Sequence, residues 1–235
     1  MTAAELAAAW SQVERAVGEH AKFSPGALDS SVWSTVASGK VFHRQGDQGV
    51  CGVGVIQASR EAVWLAVTDD HPVDVVSGLT QVAWNGAWAS NKYLYQRLDL
   101  PWPFQDRHWV AHSQTNLAIA TSGVWERAWT NAPELLPTAR TKTDAAAFDG
   151  ALAIPVNRGS WMLLGLTPSD TLAVYQARVQ LGGELPSGAA DRYAASSMPD
   201  FYDAMLNDAR SMAKRYTKSC SQPGGDGKVI PCFGD

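Results

Sequence analysis

Three cysteines in 235 residues exclude a disulfide framework as the source of stability. Cys51 lies in the apolar run VCGVGVI, where a small buried hydrophobe is the ordinary reading. Only Cys220 and Cys232, which bracket the Gly/Pro-rich stretch SCSQPGGDGKVIPC, are placed to bond, and a bond there would tie down a tail lacking helix or strand pattern. It would also imply an oxidising, extracytoplasmic compartment, periplasmic or secreted; without it the cytoplasm is expected. Neither cysteine has a CxxC partner or a nearby His, so no metal site is expected. Basic excess is missing too. Nineteen Lys+Arg face 23 Asp+Glu, for a net charge of −4, and no block of five like charges occurs. Neutralising a phosphate backbone needs more, so nucleic acid is not an expected partner. No apolar run reaches the roughly 18 residues of a membrane span, and the opening MTAAELAAAWSQVERAVGEH has no signal-peptide pattern, so the chain is expected to be soluble. Catalytic signatures are equally scarce. His20, His43, His71, His108 and His112 form no HExxH, and there is no GxSxG, phosphate loop or GxGxxG leading into a βαβ unit. His112 and Ser113 alternate to opposite faces of a strand and make no nucleophile–base pair. Neither a cofactor nor an enzymatic activity is expected.

What the sequence does have is apolar bulk: 46% hydrophobic residues, with ten Trp between Trp10 and Trp161. A chain of this length encloses a sizeable core and can still leave an internal pocket. Leu6, Ala9, Trp10, Val13 and Val17 follow the helical period, predicting a helix over 3–17. The runs VWSTVASGKVFHR and GVCGVGVIQ, joined by the turn 45–49, read as consecutive strands. Ser59 can cap a helix through Val67, with TDDHP as its stop. QVAWNGAW, KYLYQRLDL, RHWVAHSQTN and GVWERAWT follow as a meander of strands, and ALAIPVNRGSWMLLGL and TLAVYQARVQL add two longer ones. A C-terminal helix over 197–217 closes the order; Ser197 and Asp200 have capping-box spacing, and Met198, Phe201, Tyr202, Met205, Met212 and Tyr216 form its apolar stripe. Strand runs flanked by helices define an α+β fold. One domain over 1–217 and a tail over 218–235 are expected, with no repeat or second-domain linker.

Two segments carry a family resemblance. YLYQRLDLPWPFQDRHWV resembles the strand, Pro-rich loop and strand of START lipid-transfer domains, whose second strand has an Asp-Arg-Asp-Phe-Val-like start; here it reads Asp106, Arg107, His108, Trp109, Val110. TLAVYQARVQLGGELP is similar to the family's last strand and its Gly–x–Leu-Pro exit into the C-terminal helix. The resemblance spans roughly Gly52 to Tyr216. It implies a helix-grip fold, a curved antiparallel sheet around the C-terminal helix, with an internal hydrophobic cavity holding one lipid and gated by the Pro-rich loop and that helix. Implied partners are a lipid ligand and a transient membrane surface, with the chain a monomer. Sterol-binding members carry an acid and an Arg in the tunnel where ungapped counting here places Leu94 and Ser113, so the resemblance does not carry a sterol-hydroxyl site.

The candidate ligand-binding residues follow. Alternation puts Leu94, Gln96 and Leu98 on one strand face, and Trp109 and Ser113 on one face of the next. Pro101 and Pro103 stiffen a loop that presents Trp102 and Phe104, either as core under the helix or as a lid touching ligand or membrane. Trp125, Arg127 and Trp129 share a face. Arg127 either points inward towards a head group or lies outside between surface Trp rings. Met198, Phe201, Tyr202 and Met205 complete the set, adaptable Met among them. Two rival functions stay open: a helix-grip enzyme of the polyketide aromatase/cyclase kind, for which Arg127 and His112 are the titratable candidates, and an interaction module with a collapsed core.

Overall fold

The computed structural model describes residues 1–69, 78–84, 90–183, 185, 192, 195–217 and 221–233. Helices α1 (Ala3–Ser11), α2 (Glu14–His20) and α3 (Ser30–Ala37) lead into strands β1 (Phe42–Gly46) and β2 (Gly49–Ile56), then helix α4 (Arg60–Thr68). Strands β3 (Leu79–Trp84), β4 (Asn91–Leu98), β5 (Arg107–Thr115) and β6 (Val124–Asn131) follow. Short helices α5 (Leu136–Arg140) and α6 (Ala145–Asp149) precede β7 (Leu152–Ala153), β8 (Val156–Thr167) and β9 (Asp170–Gln180), and α7 (Met198–Arg215) is the last helix.

The nine strands form one sheet in the order β1-β2-β9-β8-β6-β5-β4-β3, antiparallel throughout, with β7 added parallel to β5. Its two faces bury different partners. The inner face packs against α4 and α7 through a core that includes Val50, Trp125, Trp161, Leu163, Ala173, Met198, Tyr202, Met205 and Met212. On the outer face, Cys51, Val53, Met162, Leu172 and Val174 lie under α1 and α3, which bring Leu6, Trp10, Val32, Trp33 and Val36. Farther along, Tyr95 and Val110 on the outer side are covered by α5 and Phe148.

The glycines of VCGVGVI explain how α7 reaches the sheet. A Cβ on Gly52 would stand 2.6 Å from Met198 Sδ, and one on Gly54 would stand 2.9 Å from the Tyr202 ring. Both glycines lie on the inner face of β2, and their missing side chains are the room the helix occupies. Cys51, between them, points outward. It is a free, buried thiol pushed up to about 11 by burial, so it stays protonated and inert, as a small core hydrophobe should.

Several expected elements come out differently. The helix over 3–17 is two helices. Val13 N donates to Trp10 O at 2.9 Å, a tighter i→i+3 bond that ends α1, and Leu6, Trp10, Val13 and Val17 all remain buried across the break. VWSTVA is helical and not a strand: Asp29 caps it by accepting from the Ser31 and Val32 amides, and Val32, Trp33 and Val36 fall on one helical face. Ser59 does cap α4, accepting from Ala62 N at 3.2 Å. Ser197 precedes α7 but makes no side-chain cap bond, so the capping box is not formed; Pro199 fits because it sits in the first turn, where no amide donor is needed.

Glu126 is a feature the sequence concealed. It is fully buried on the outer face, where its carboxylate accepts from the Lys22 amide at 3.1 and 3.0 Å and from Asn116 Nδ2 at 2.6 Å. Those bonds fasten the segment after α2 to the sheet. The C-terminal segment is also packed: Trp64 Nε1 donates to Pro223 O at 3.0 Å, Pro223 bridges to Val229, and Ile230 joins the inner core. Cys220 lies outside the described residues, and with it the expected pairing to Cys232.

Candidate functional site

The strand pairings fix which side chains share the inner face beyond α7. Leu94 faces Ala111, Gln96 faces Trp109, Ser113 faces Trp129, and Trp129 in turn faces Gly159. A Cβ on Gly159 would lie 2.4 Å from the Trp129 ring, so the indole lies across the sheet there. Tyr175 on β9 pairs with Trp161 and Gly52. Its ring centroid is 5.9 Å from that of Trp129 and 4.9 Å from those of Trp161 and Phe201, forming an aromatic wall between sheet and helix. Tyr202 anchors the helix end of the wall by donating its hydroxyl to Ala173 O at 2.9 Å.

Leu94, Gln96, Leu98, Trp129, Tyr175, Val179 and Phe201 keep accessible surface although they face the space between sheet and helix. Under the N-terminal helices, the outer face at Val53, Met162, Leu172 and Val174 keeps almost none. The outer side is close-packed where α1 and α3 cover it, and on the inner side Leu94, Leu98, Trp129 and Val179 pack around Trp109, Ala111 and Ile154 as a second, partly accessible apolar cluster.

Polar groups on this face are few and mostly engaged. Trp109 Nε1 donates to Gln96 Oε1 at 2.7 Å, and Gln96 Nε2 donates to Gln81 Oε1 at 2.6 Å. Arg127 is 3% exposed and shares the inner face with Trp125 and Trp129, which decides between the two orientations its sequence allowed. Its Nε donates to Ser113 Oγ at 2.7 Å, and its Nη1 donates to Thr115 Oγ1 at 2.9 Å and to Ser90 O at 3.1 Å. The cation stacked on Trp125 is Arg60, 3.9 Å above the ring. Ser113 and Gln96, expected to be the polar groups facing a ligand, are thus held by protein partners. Sequence reasoning missed Lys92. It follows the same alternation as Leu94 and Gln96, is 2% exposed, and donates to Thr68 O at 2.5 Å. The signal was present, two residues before Leu94 on the strand, but a Lys at a strand start reads as solvent-facing. His112 turns to the outer side and stacks on Tyr93 at 4.6 Å.

At the opposite end of β4 and β5 the Pro-rich loop closes on a fixed base. Asp106 Oδ1 accepts from Leu100 N at 2.9 Å and its other oxygen pairs with Arg97; the Leu100 amide, then Arg97, holds the carboxyl below its ordinary value. Arg107, buried, donates to Leu181 O at 2.8 Å and to Gly182 O at 3.1 Å, tying the loop's exit to the connection between β9 and α7. These are the two roles behind the Asp106–Arg107 pair. Beyond that base the tip is exposed: Trp102 is 93% accessible and Phe104 41%. Neither is core under the helix. Met198, Tyr202 and Met205 are buried against the inner face, and Phe201 is half-buried within the aromatic wall.

A curved antiparallel sheet closed by its C-terminal helix defines a helix-grip α+β protein. No protein-family model and no curated protein matches the sequence. Solved structures do. Human STARD10 superposes with a TM-score of 0.53 at 11% identity, over 74% of this chain and 70% of that one. A STAR-related lipid transfer protein fragment from Xanthomonas axonopodis gives 0.51 at 21% identity, over 79% and 95%. Human StAR-related lipid transfer protein 5 gives 0.50 at 16% identity, over 87% and 98%. The chain has the START-type helix-grip fold.

Proposed function

We propose that this chain binds one hydrophobic small molecule, a lipid with acyl chains, between the sheet and α7 and carries or presents it. The observation behind the reading is the row of apolar side chains on the inner face, from Leu94 and Leu98 to Trp129 and Phe201, that are only partly buried. Covering an acyl chain gains about 0.8 kcal/mol per CH₂, so such a surface binds without many polar contacts. Leu94 and Ser113 stand where sterol binders of this fold carry a charged pair, and Ser113 is already engaged by Arg127. Acyl lipids therefore suit the site better than sterols. Lys92 and Arg127 are buried on this face and held by protein partners, Lys92 by Thr68 O and Arg127 by Ser113, Thr115 and Ser90. Trp102 and Phe104 give the loop an apolar tip suited to transient membrane contact during exchange.

Competition binding with fluorescent fatty acid and fluorescent sterol probes tests this. Fatty acids should displace both probes, and Arg127→Ala should weaken acidic lipids more than neutral ones. Tight sterol binding that acyl lipids fail to displace, unchanged by Arg127→Ala, would overturn the reading.

A further inference from the structure

The segment after α7 packs against the inner layer of the molecule. Pro223 and Val229 bridge, Gly224 N donates to Lys228 O at 2.7 Å, and Ile230 N donates to Gln222 O at 2.9 Å, so residues 222–230 form a compact turn. Ile230 is 3% exposed in the core that α4, α7 and the sheet share. Gly224 and Gly225 lie along the indole of Trp125. A Cβ on Gly225 would stand 2.3 Å from Trp125 Cβ and Cγ, and one on Gly224 would stand 2.8 Å from its Cη2, so only glycines allow the backbone this close. The same indole carries the Arg60 guanidinium 3.9 Å over its ring and meets Trp64 edge-on at 5.6 Å, and Trp64 Nε1 in turn donates to Pro223 O. Trp125 is thereby seated by the C-terminal turn.

The strand register shows what this seat does. Trp125 pairs with Leu163 and Leu163 with Ala173, one inner-face row farther from the Pro-rich loop than Arg127, Trp161 and Tyr175. Trp125 is 4% exposed, Leu163 and Ala173 are fully buried, and Tyr202, bonded to Ala173 O, is 3% exposed. Tyr175 and Phe201, and Trp129 and Leu94 nearer the loop, are only partly buried. Partial burial therefore gives way to close packing at the Trp125 row. We propose that residues 222–230, through Trp125 and Ile230, form the floor of the ligand site and set the longest acyl chain it takes. The inference rests on the ligand-binding reading above and adds a length limit to it. Each CH₂ covered by apolar surface tightens binding about fourfold. A CH₂ that reaches the floor finds no further surface to cover, so the gain stops there.

The test uses saturated fatty acids of increasing length, from about 8 to about 24 carbons, each competing with a fluorescent fatty acid. In the wild type affinity should climb with length and then stop climbing. Trp125→Leu and Ile230→Ala should each move that stop to acids longer by about two carbons or more, while acids below it bind within about threefold of the wild type. Ile230→Ala, the smaller cut, carries the test alone where melting shows that Trp125→Leu does not fold. Val229→Ser, on the exposed side of the same turn, should leave the stop where it is. A stop that stays at one length in every folded variant would overturn the floor and leave the ligand-binding reading intact, as would a wild type whose affinity climbs through the longest acid. Weaker binding of all lengths alike in Ile230→Ala, or a stop moved equally by Val229→Ser, would show that the turn serves only the fold and overturn the inference too. A wild type that binds no acid of any length would remove the ligand-binding reading and this inference together.

Discussion

Gly52 and Gly54 make the same provision for α7 but differ in what a side chain would meet. At Gly52 the nearest atoms belong to Met198, a flexible chain able to swing aside; at Gly54 they belong to the Tyr202 ring, held by its bond to Ala173 O. Overpacking costs about 1–3 kcal/mol where neighbours cannot yield. Gly54→Val should therefore destabilise the fold by about 2 kcal/mol and Gly52→Val by clearly less, as read by urea denaturation. Equal costs would mean the helix shifts as a body. The sequence announced these glycines only as interruptions in a strand, because what they accommodate is more than 140 residues away in the chain.

Two histidines give the molecule a signed pH response. Burial, then the charge of Arg97, lowers the pKa of His108; burial, then Arg127, lowers that of His112. Both start from an ordinary value of 6.5, so the unfolded chain takes up protons before the folded chain does. Their contribution to stability is complete above pH 6.5 and is lost as pH falls through the lower folded values. Melting temperature should drop between pH 7.5 and 5. His108→Phe, which keeps an aromatic ring against Phe148, should flatten that slope whatever it does at pH 7.5. An unchanged slope would place the response in other groups.

At the scale of elements, the Pro-rich loop separates base from tip. Arg97, Asp106 and Arg107 fix the base, and Trp102 and Phe104 stand out from it. Replacing both aromatics by Ser should leave the melting temperature within a few degrees, since neither is buried, while slowing lipid transfer between vesicles severalfold. Unchanged transfer would remove the loop from the exchange step. The loop and its flanking strands were legible in the sequence because two prolines and the alternation of Leu94, Gln96 and Leu98 each leave a local mark. VWSTVA looks like a strand because its composition is β-like, while its spacing is helical and its cap, Asp29, lies upstream of the apolar run. The break between α1 and α2 left no mark at all: the apolar period continues through it and no Gly or Pro punctuates it.

For the whole molecule, the layered order was readable because strand runs and amphipathic helices follow one another in the chain. The inner and outer faces of β4, β5 and β6 were likewise readable from alternation. The partners that neutralise the polar groups were not. Which acceptors hold Arg127 depends on register between strands far apart in sequence, as does the buried seat of Glu126 under the N-terminal segment. The site was therefore visible as a surface and hidden as a hydrogen-bonding pattern, and its chemistry had to come from the fold.

The proposed site for an acyl ligand lies between the sheet and α7. Photolysis with a stearate analogue carrying a mid-chain diazirine, followed by peptide mapping of the adducts, tests it most directly. Labelling should be saturable and displaced by excess fatty acid, on the inner-face residues of β4–β6 and β9 and on α7, with Leu94, Trp129, Tyr175 and Phe201 among the labelled positions. Labelling confined to the exposed loop tip or to the outer helices, or undiminished by competitor, would contradict it.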